Sequence, residues 1–226
     1  MFDFFDLGSS LEGFRAQACQ FLDGLEQANP SKVHLAFSGG KSPIPFLEVL
    51  AGLHVWNRYT LSLVDDRIVP FHHEDSNARL IQEHLIDPVS FKWGIDVPFM
   101  PFFTQASLPY EVLLQQALDH YKQPHLAVLG MGLDGHTASL FPDAPEFEHA
   151  ISTTDPLVLT TPQNAPHARI SLSLHALESC QELWLLISGT QKRAIFEEAA
   201  KELNPKLPIS LILHSKKVLC HVFYTP

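Results

Sequence analysis

The sequence predicts an α/β protein: a mostly parallel, Rossmann-like sheet with helices on both faces, built as a single domain over residues 1–226. Three observations carry this expectation. Apolar runs of strand length alternate with stretches of helical period, the pattern of parallel strands joined by crossover helices. Four glycine-rich or charged clusters follow strand-like runs directly, where an open parallel sheet keeps its ligand loops. The 17 prolines and 11 glycines are scattered, and no repeat or low-complexity tract marks a linker.

The elements follow in chain order. Ser9-Ser10-Leu11-Glu12 has the spacing of a capping box, with Ser9 as N-cap and Glu12 three residues on. Behind it Leu11, Phe14, Ala18, Leu22 and Leu25 recur at helical spacing. Residues 33–37 (Val-His-Leu-Ala-Phe) form a short apolar strand, and Pro43 stands where a helix can start. Residues 60–64 are the next strand, and Asp75-Ser76 caps a helix running to about Leu85. Ser107 opens a helix whose stripe is Tyr110, Leu113, Leu114, Ala117, Leu118 and Tyr121. Residues 125–129 and 183–187 are strands, 191–203 a helix, and 218–223 a last strand. The segment 143–166, rich in Pro, Thr and Asp, carries no clear period.

Composition removes several function classes. Lys and Arg number 15 against 25 Asp and Glu, a formal charge of −10. That balance argues against nonspecific nucleic-acid binding, which runs on clustered cations. An anionic substrate would need a local positive site that overcomes the overall field. With 46% hydrophobic and 18% charged residues the chain is not of disordered composition. The three cysteines, Cys19, Cys180 and Cys220, are odd in number and widely spaced, which fits neither a disulfide framework nor a zinc knuckle. Met1-Phe2-Asp3-Phe4-Phe5-Asp6 has two acids and no basic residue, so no secretory leader is expected. No apolar run approaches the ~18 residues of a membrane span. The expected location is cytoplasmic, with no membrane partner.

The four clusters converge on one rim of the expected sheet. Ser38-Gly39-Gly40-Lys41-Ser42-Pro43 lets backbone N–H groups approach an anion, and the helix behind it would add its own N–H groups and dipole. The alternative is a plain glycine-rich turn. Asp65-Asp66-Arg67 sets two carboxylates beside a guanidinium, which is either a ligand contact or a local ion pair. The nearby His72-His73-Glu74-Asp75 hints at metal, but no distant ligand accompanies it in the sequence, and no metal site is expected.

Gly130-x-Gly132-x-x-Gly135 matches a dinucleotide fingerprint, with Asp155 lying 20 residues on. Pro142 and Pro145 cut short the long helix such a site requires, so no nicotinamide cofactor is expected. The same turn places Asp134 two residues from His136, a carboxylate beside a group that exchanges protons near neutral pH. Ser188-Gly189-Thr190-Gln191-Lys192 is the fourth cluster.

These residues carry a resemblance. Gly130-Met131-Gly132-Leu133-Asp134-Gly135-His136-Thr137-Ala138-Ser139-Leu140-Phe141-Pro142 resembles the signature of the 6-phosphogluconolactonases almost residue for residue. Ser38-Gly39-Gly40-Lys41-Ser42-Pro43 resembles their Gly-Gly-x-Thr-Pro loop, and Asp65-Asp66-Arg67, with Asp75-Ser76-Asn77 behind it, their Asp-Glu-Arg segment and its sequel. Arg169 before Ser171-Leu172-Ser173, then Gly189-x-x-Lys192, resembles the last two elements. Three positions depart: Ser42 for Thr, Asp66 for Glu, and Ala78 for an aromatic. The first two keep the functional group.

The resemblance implies a fold shared with glucosamine-6-phosphate deaminases and ribose-5-phosphate isomerases. The deaminases continue Asp-Gly-His with Ile-Ala-Phe-Asn-Glu, and that Asn-Glu pair is absent here. A sugar-phosphate sensor module is expected to have lost the histidine, which this chain keeps. The implied activity is hydrolysis of 6-phospho-D-glucono-1,5-lactone in the oxidative pentose phosphate pathway, with His136 as general base, Asp134 orienting it, and no cofactor or metal. Gly39, Gly40, Lys41, Ser42, Arg67, Arg169 and Lys192 are the phosphate candidates, and Asp65 joins the substrate contacts. The two arginines suit phosphate best because a guanidinium binds it bidentately.

Overall fold

Near-continuous apolar runs in this chain become strands buried on both faces, as parallel sheets require. The computed structural model describes residues 1–53 and 55–226. The first half contains β1 (Phe2–Asp6), α1 (Glu12–Ala28), β2 (Val33–Phe37), α2 (Ile44–Ala51), β3 (Tyr59–Leu63) and β4 (Asp65–Arg67). It continues with α3 (Asn77–Ile81), α4 (Asp87–Trp93), β5 (Phe99–Met100) and α5 (Tyr110–Asp119). The second half contains β6 (Leu126–Leu129), α6 (Phe147–Ser152), β7 (Leu157–Thr160), β8 (Arg169–Leu172) and α7 (Leu174–Glu178). It closes with β9 (Glu182–Ser188), α8 (Thr190–Ala199), α9 (Ile209–Leu213) and β10 (Leu219–Thr225). None of the described helices is long and apolar enough to cross a membrane.

Seven strands form one sheet in the order β1-β10-β9-β6-β2-β3-β5, with every pairing parallel. The chain leaves β2 toward β3 on one side and returns to β6 on the other. The switch point of the topology, where open α/β sheets bind ligands, therefore lies between β2 and β6. The loops after those two strands are the Ser38 and Gly130 clusters.

A second sheet was not anticipated. β4, β8 and β7 pair antiparallel in three strands. Val64 joins the layers: its N–H donates to Phe37 O at 2.9 Å, and its carbonyl accepts from Leu172 N at 2.8 Å. The register sets Arg67 directly opposite Arg169.

Four sequence-based boundaries require correction. The Ser9 capping box does not form, because Arg15 N donates to Leu11 O, which places Leu11 in the cap position, and the Glu12 N–H is met by Ser10 Oγ at 3.2 Å. The helix from Ser76 does not stop near Leu85. Its backbone widens by one residue per turn over Gln82–Ile86 and runs on as α4 until Gly94 turns it at φ 66. Ser107 stands outside α5, which starts after Pro109. Finally, α8 ends at Ala199 and leaves Leu203 exposed.

The sequence periods do not mark β1, β5, α6, β7, α7 or α9. The cap at Ser76 holds, since Ser76 Oγ accepts from Arg79 N at 3.2 Å.

Candidate active site

All four strand-end clusters meet. Ser38, Gly39, Gly40, Lys41, Ser42 and Pro43 line one wall of a cleft of about 190 Å³. Gly130, Gly132 and His136 line a second wall, Asp65, Arg67 and Arg169 a third, and Lys192 closes the side. Four cations, Lys41, Arg67, Arg169 and Lys192, thus face the cleft with one carboxylate, Asp65. This is the local reversal of field that an acidic chain needs to hold an anion.

The arginines are held by the second sheet. Arg67 Nη1 donates to the Asp75 carbonyl at 2.9 Å and to Asn77 Oδ1 at 3.0 Å. Arg169 Nη2 reaches only the Pro166 carbonyl, at 3.5 Å. Its guanidinium lies 4.6 Å from the centre of the Phe141 ring. Burial, ahead of all else, lowers the pKa of Arg169, and the charge of Arg67 lowers it further against the pull of Asp65 and Asp75. Like charges directly opposite on paired strands are destabilising. Arg67 Nε, Arg169 Nε and Ser38 Oγ are buried without a partner among the described residues. Buried donors of this kind are costly, and an anionic ligand relieves both costs at once.

Asn77, the last residue of the Asp75-Ser76-Asn77 motif, organises this corner. Its side-chain amide donates to the Asp65 carbonyl at 2.8 Å while its oxygen accepts from Arg67. It packs so tightly on Gly39 that a Cβ there would run into the amide. Asp65 is buried, and its Oδ2 accepts from Ser139 Oγ at 2.6 Å. Asp66 points away from the cleft. Its carboxylate accepts the backbone N–H groups of Arg67, Asn77 and Ala78, and burial pushes its pKa up to about 7.

Lys192 Nζ donates to Ser42 Oγ at 2.9 Å, and burial lowers its pKa. The N-terminus of α2 contributes less than expected. Pro43 and Pro45 carry no N–H, so the donors on this wall are those of Gly39, Gly40, Lys41 and Ser42.

The turn after β6 builds the reactive pair. His136 Nδ1 lies 2.5 Å from Asp134 Oδ1, which also accepts the His136 backbone N–H at 3.2 Å. Gly132 permits this geometry, since a Cβ there would strike the imidazole and the Asp134 carboxylate together. Burial alone would raise the pKa of Asp134, but the hydrogen bonds and charge of His136 outweigh it and hold the carboxyl below the usual range. With Nδ1 engaged, Nε2 is the nitrogen left for a ligand.

Phe141 fixes the ring from one face, stacked at 4.0 Å and 27°. The same aromatic carries Arg169, so Phe141 couples the imidazole to the anion corner. Ser139 N donates to Ser171 Oγ at 3.1 Å and ties the turn to the second sheet. Thr137 Oγ1 donates to the Gly130 carbonyl at 2.9 Å and closes the turn on itself.

No helix follows the Gly130–Gly135 turn. The next helix is α6, beyond Pro142 and Pro145, so the dinucleotide reading has no supporting element. Fold and cleft together define a class: an α/β protein with a cationic cleft at the carboxyl edge of its sheet and a histidine–carboxylate pair beside it. The chain belongs to the glucosamine-6-phosphate isomerases/6-phosphogluconolactonase family, whose model matches residues 14–220.

Among its relatives, a Helicobacter pylori 6-phosphogluconolactonase is 48% identical over 195 residues, 85% of this chain and 84% of that one. A 6-phosphogluconolactonase of Neisseria meningitidis is 40% identical over 230 residues, 99% of both. The crystal structure of a Neisseria gonorrhoeae protein, 39% identical and covered in full, superposes with a TM-score of 0.91 over this whole chain.

Proposed function

We propose that this protein hydrolyses 6-phospho-D-glucono-1,5-lactone to 6-phospho-D-gluconate, the lactone-opening step of the oxidative pentose phosphate pathway. The observation that carries the reading is the His136–Asp134 pair facing a cleft lined by four cations. Relatives named for this activity, at 40–48% identity over most of the chain, support it.

The chemistry follows from the positions. The δ-lactone is a reactive ester, so hydrolysis needs an activated water and a proton for the departing ring oxygen. His136 Nε2 takes a proton from water as the oxygen attacks C1. The tetrahedral species collapses, the C1–O bond breaks, and the imidazolium returns that proton to the ring oxygen. Asp134 stays negative, keeps the ring in the productive tautomer and offsets the imidazolium charge.

The 6-phosphate lies between Arg67 and Arg169, with Lys192, Lys41, Ser42 and the N–H groups of Gly39 and Gly40 around it. Asp65 accepts from a sugar hydroxyl and holds Asn77 and Ser139 in register. Phe141 positions the imidazole. No step calls on a cofactor or metal.

The partner is therefore a small sugar phosphate. The −10 charge argues against nucleic acid, and the free thiols of Cys19, Cys180 and Cys220 suit a reducing cytoplasm. The test is acid release from freshly generated 6-phosphogluconolactone in a pH-stat, compared with the spontaneous rate. Acceleration proportional to protein supports the reading. No acceleration, with glucosamine 6-phosphate converted instead, overturns it.

A further inference from the structure

Outside the cleft, the structure brings His73, Asp75 and His167 into one cluster. The His72–Asp75 segment lacked a distant ligand in the sequence, and His167, on the turn before β8, is that ligand. We propose that these three side chains form a binding site for a divalent transition-metal cation of the zinc class, separate from the catalytic pair. The inference stands independently of the hydrolysis reading.

Geometry is the main argument. A tetrahedral zinc ion with ligands at 2.0–2.2 Å sets neighbouring donor atoms about 3.3–3.6 Å apart. Asp75 Oδ2 lies 3.1 Å from His167 Nε2 and 3.8 Å from His73 Nδ1, which brackets that spacing. All three donor atoms fall within 4.8 Å of one another. Two imidazoles and a carboxylate suit zinc, and they leave a fourth position for water.

The surroundings present the ligands. His73 Nδ1 accepts the Asp75 backbone N–H at 3.1 Å, so it carries a lone pair rather than a proton. The metal takes that lone pair in place of the N–H. Arg67 rests on the Asp75 carbonyl rather than on its carboxylate, which makes no ion pair with lysine or arginine among the described residues and feels only the charge of Arg169. His167 holds a left-handed backbone, φ 69, which non-glycine residues seldom adopt. That conformation turns its ring toward Asp75. All three side chains are 30–44% exposed, open to an ion from solvent. A His167–Asp75 ion pair alone would leave the convergence of His73 without a purpose.

The test is a cobalt(II) titration of the metal-free full chain, read by the d–d absorption of tetrahedral cobalt, followed by displacement with zinc and by zinc calorimetry. One equivalent is expected to bind. His73→Gln and His167→Asn should each weaken it at least about tenfold. Asparagine tolerates the left-handed backbone at 167, and His73→Gln gives the same answer if the other variant fails to fold. His136→Ala should bind metal as the parent does. Absence of tetrahedral cobalt bands, binding indifferent to His73→Gln, or binding lost in His136→Ala would each overturn the proposal. The last result would place the ion on the reactive pair instead.

Discussion

Arg169→Ala is the sharpest probe of the anion corner. Arg67 also serves the fold, since its Nη1 satisfies the Asp75 carbonyl and Asn77 Oδ1. Arg169 has less to lose: a 3.5 Å bond to the Pro166 carbonyl and the face of Phe141. Its donors are therefore little used by the fold, as the proposed phosphate contact requires. One charge-assisted hydrogen bond is worth about 1.5–3 kcal/mol, which converts to one to two decades in kcat/KM. Removing the charge relieves the repulsion from Arg67 across the strand pair, ~0.2–1 kcal/mol, but also forfeits the attraction of Asp65 and Asp75 and the Phe141 contact, so the melting temperature should change little. The assay compares 6-phosphogluconolactone with unphosphorylated gluconolactone. The parent's preference for the phosphorylated substrate should shrink by the full factor, while the rate on gluconolactone stays within a few-fold. Arg169→Lys should recover part of the loss, because the charge returns without the planar fork. An unchanged preference in Arg169→Ala would refute the assignment and move the phosphate toward Lys41 and Lys192.

Five further outcomes are expected. His136→Ala should lose about 10²–10⁴ in kcat with an unchanged circular dichroism spectrum, and Asp134→Asn should slow turnover while product affinity by calorimetry is retained. Gly39→Ala drives a methyl group into Asn77, which should cost about 1–3 kcal/mol in thermal or denaturant unfolding and raise KM through the displaced Arg67. Asp66 has its folded pKa raised to about 7 from 3.8, so the stability of its protonated form is present below pH 4 and is lost as pH rises toward 7. Relative to Asp66→Asn, the parent should lose as much as about 4 kcal/mol across that window, read as Tm against pH. Turnover should persist in excess chelator, measured against the spontaneous lactone rate.

The main sheet was legible because its strands are short apolar runs bounded by glycine and charge. The loops of Gly39 and Gly132 were legible because close backbone approach leaves a compositional mark. The second sheet was not. β4 is only three residues, Asp-Asp-Arg, and its pairing with Arg169 is non-local, so no periodicity announces it. β1 was obscured by Asp3 and Asp6, which an edge strand exposes to solvent at no cost. The roles of Asn77 and Phe141 depend on contacts between distant loops, and His167 joins its cluster only through the turn between β7 and β8. Single-sequence spacing carries no signal for such convergence.

The two layers of strands also act as a ruler. The imidazole hangs from a turn of the seven-stranded sheet, whereas the paired guanidiniums sit on the three-stranded one. Their separation is set by the Val64 junction and the Ser139–Ser171 bond, not by any flexible loop. On the proposed reading, a substrate spans that gap from its ester carbon to its phosphate. The spacing of the site is thus fixed in part by hydrogen bonds between the two sheets, made by residues that do not line the cleft.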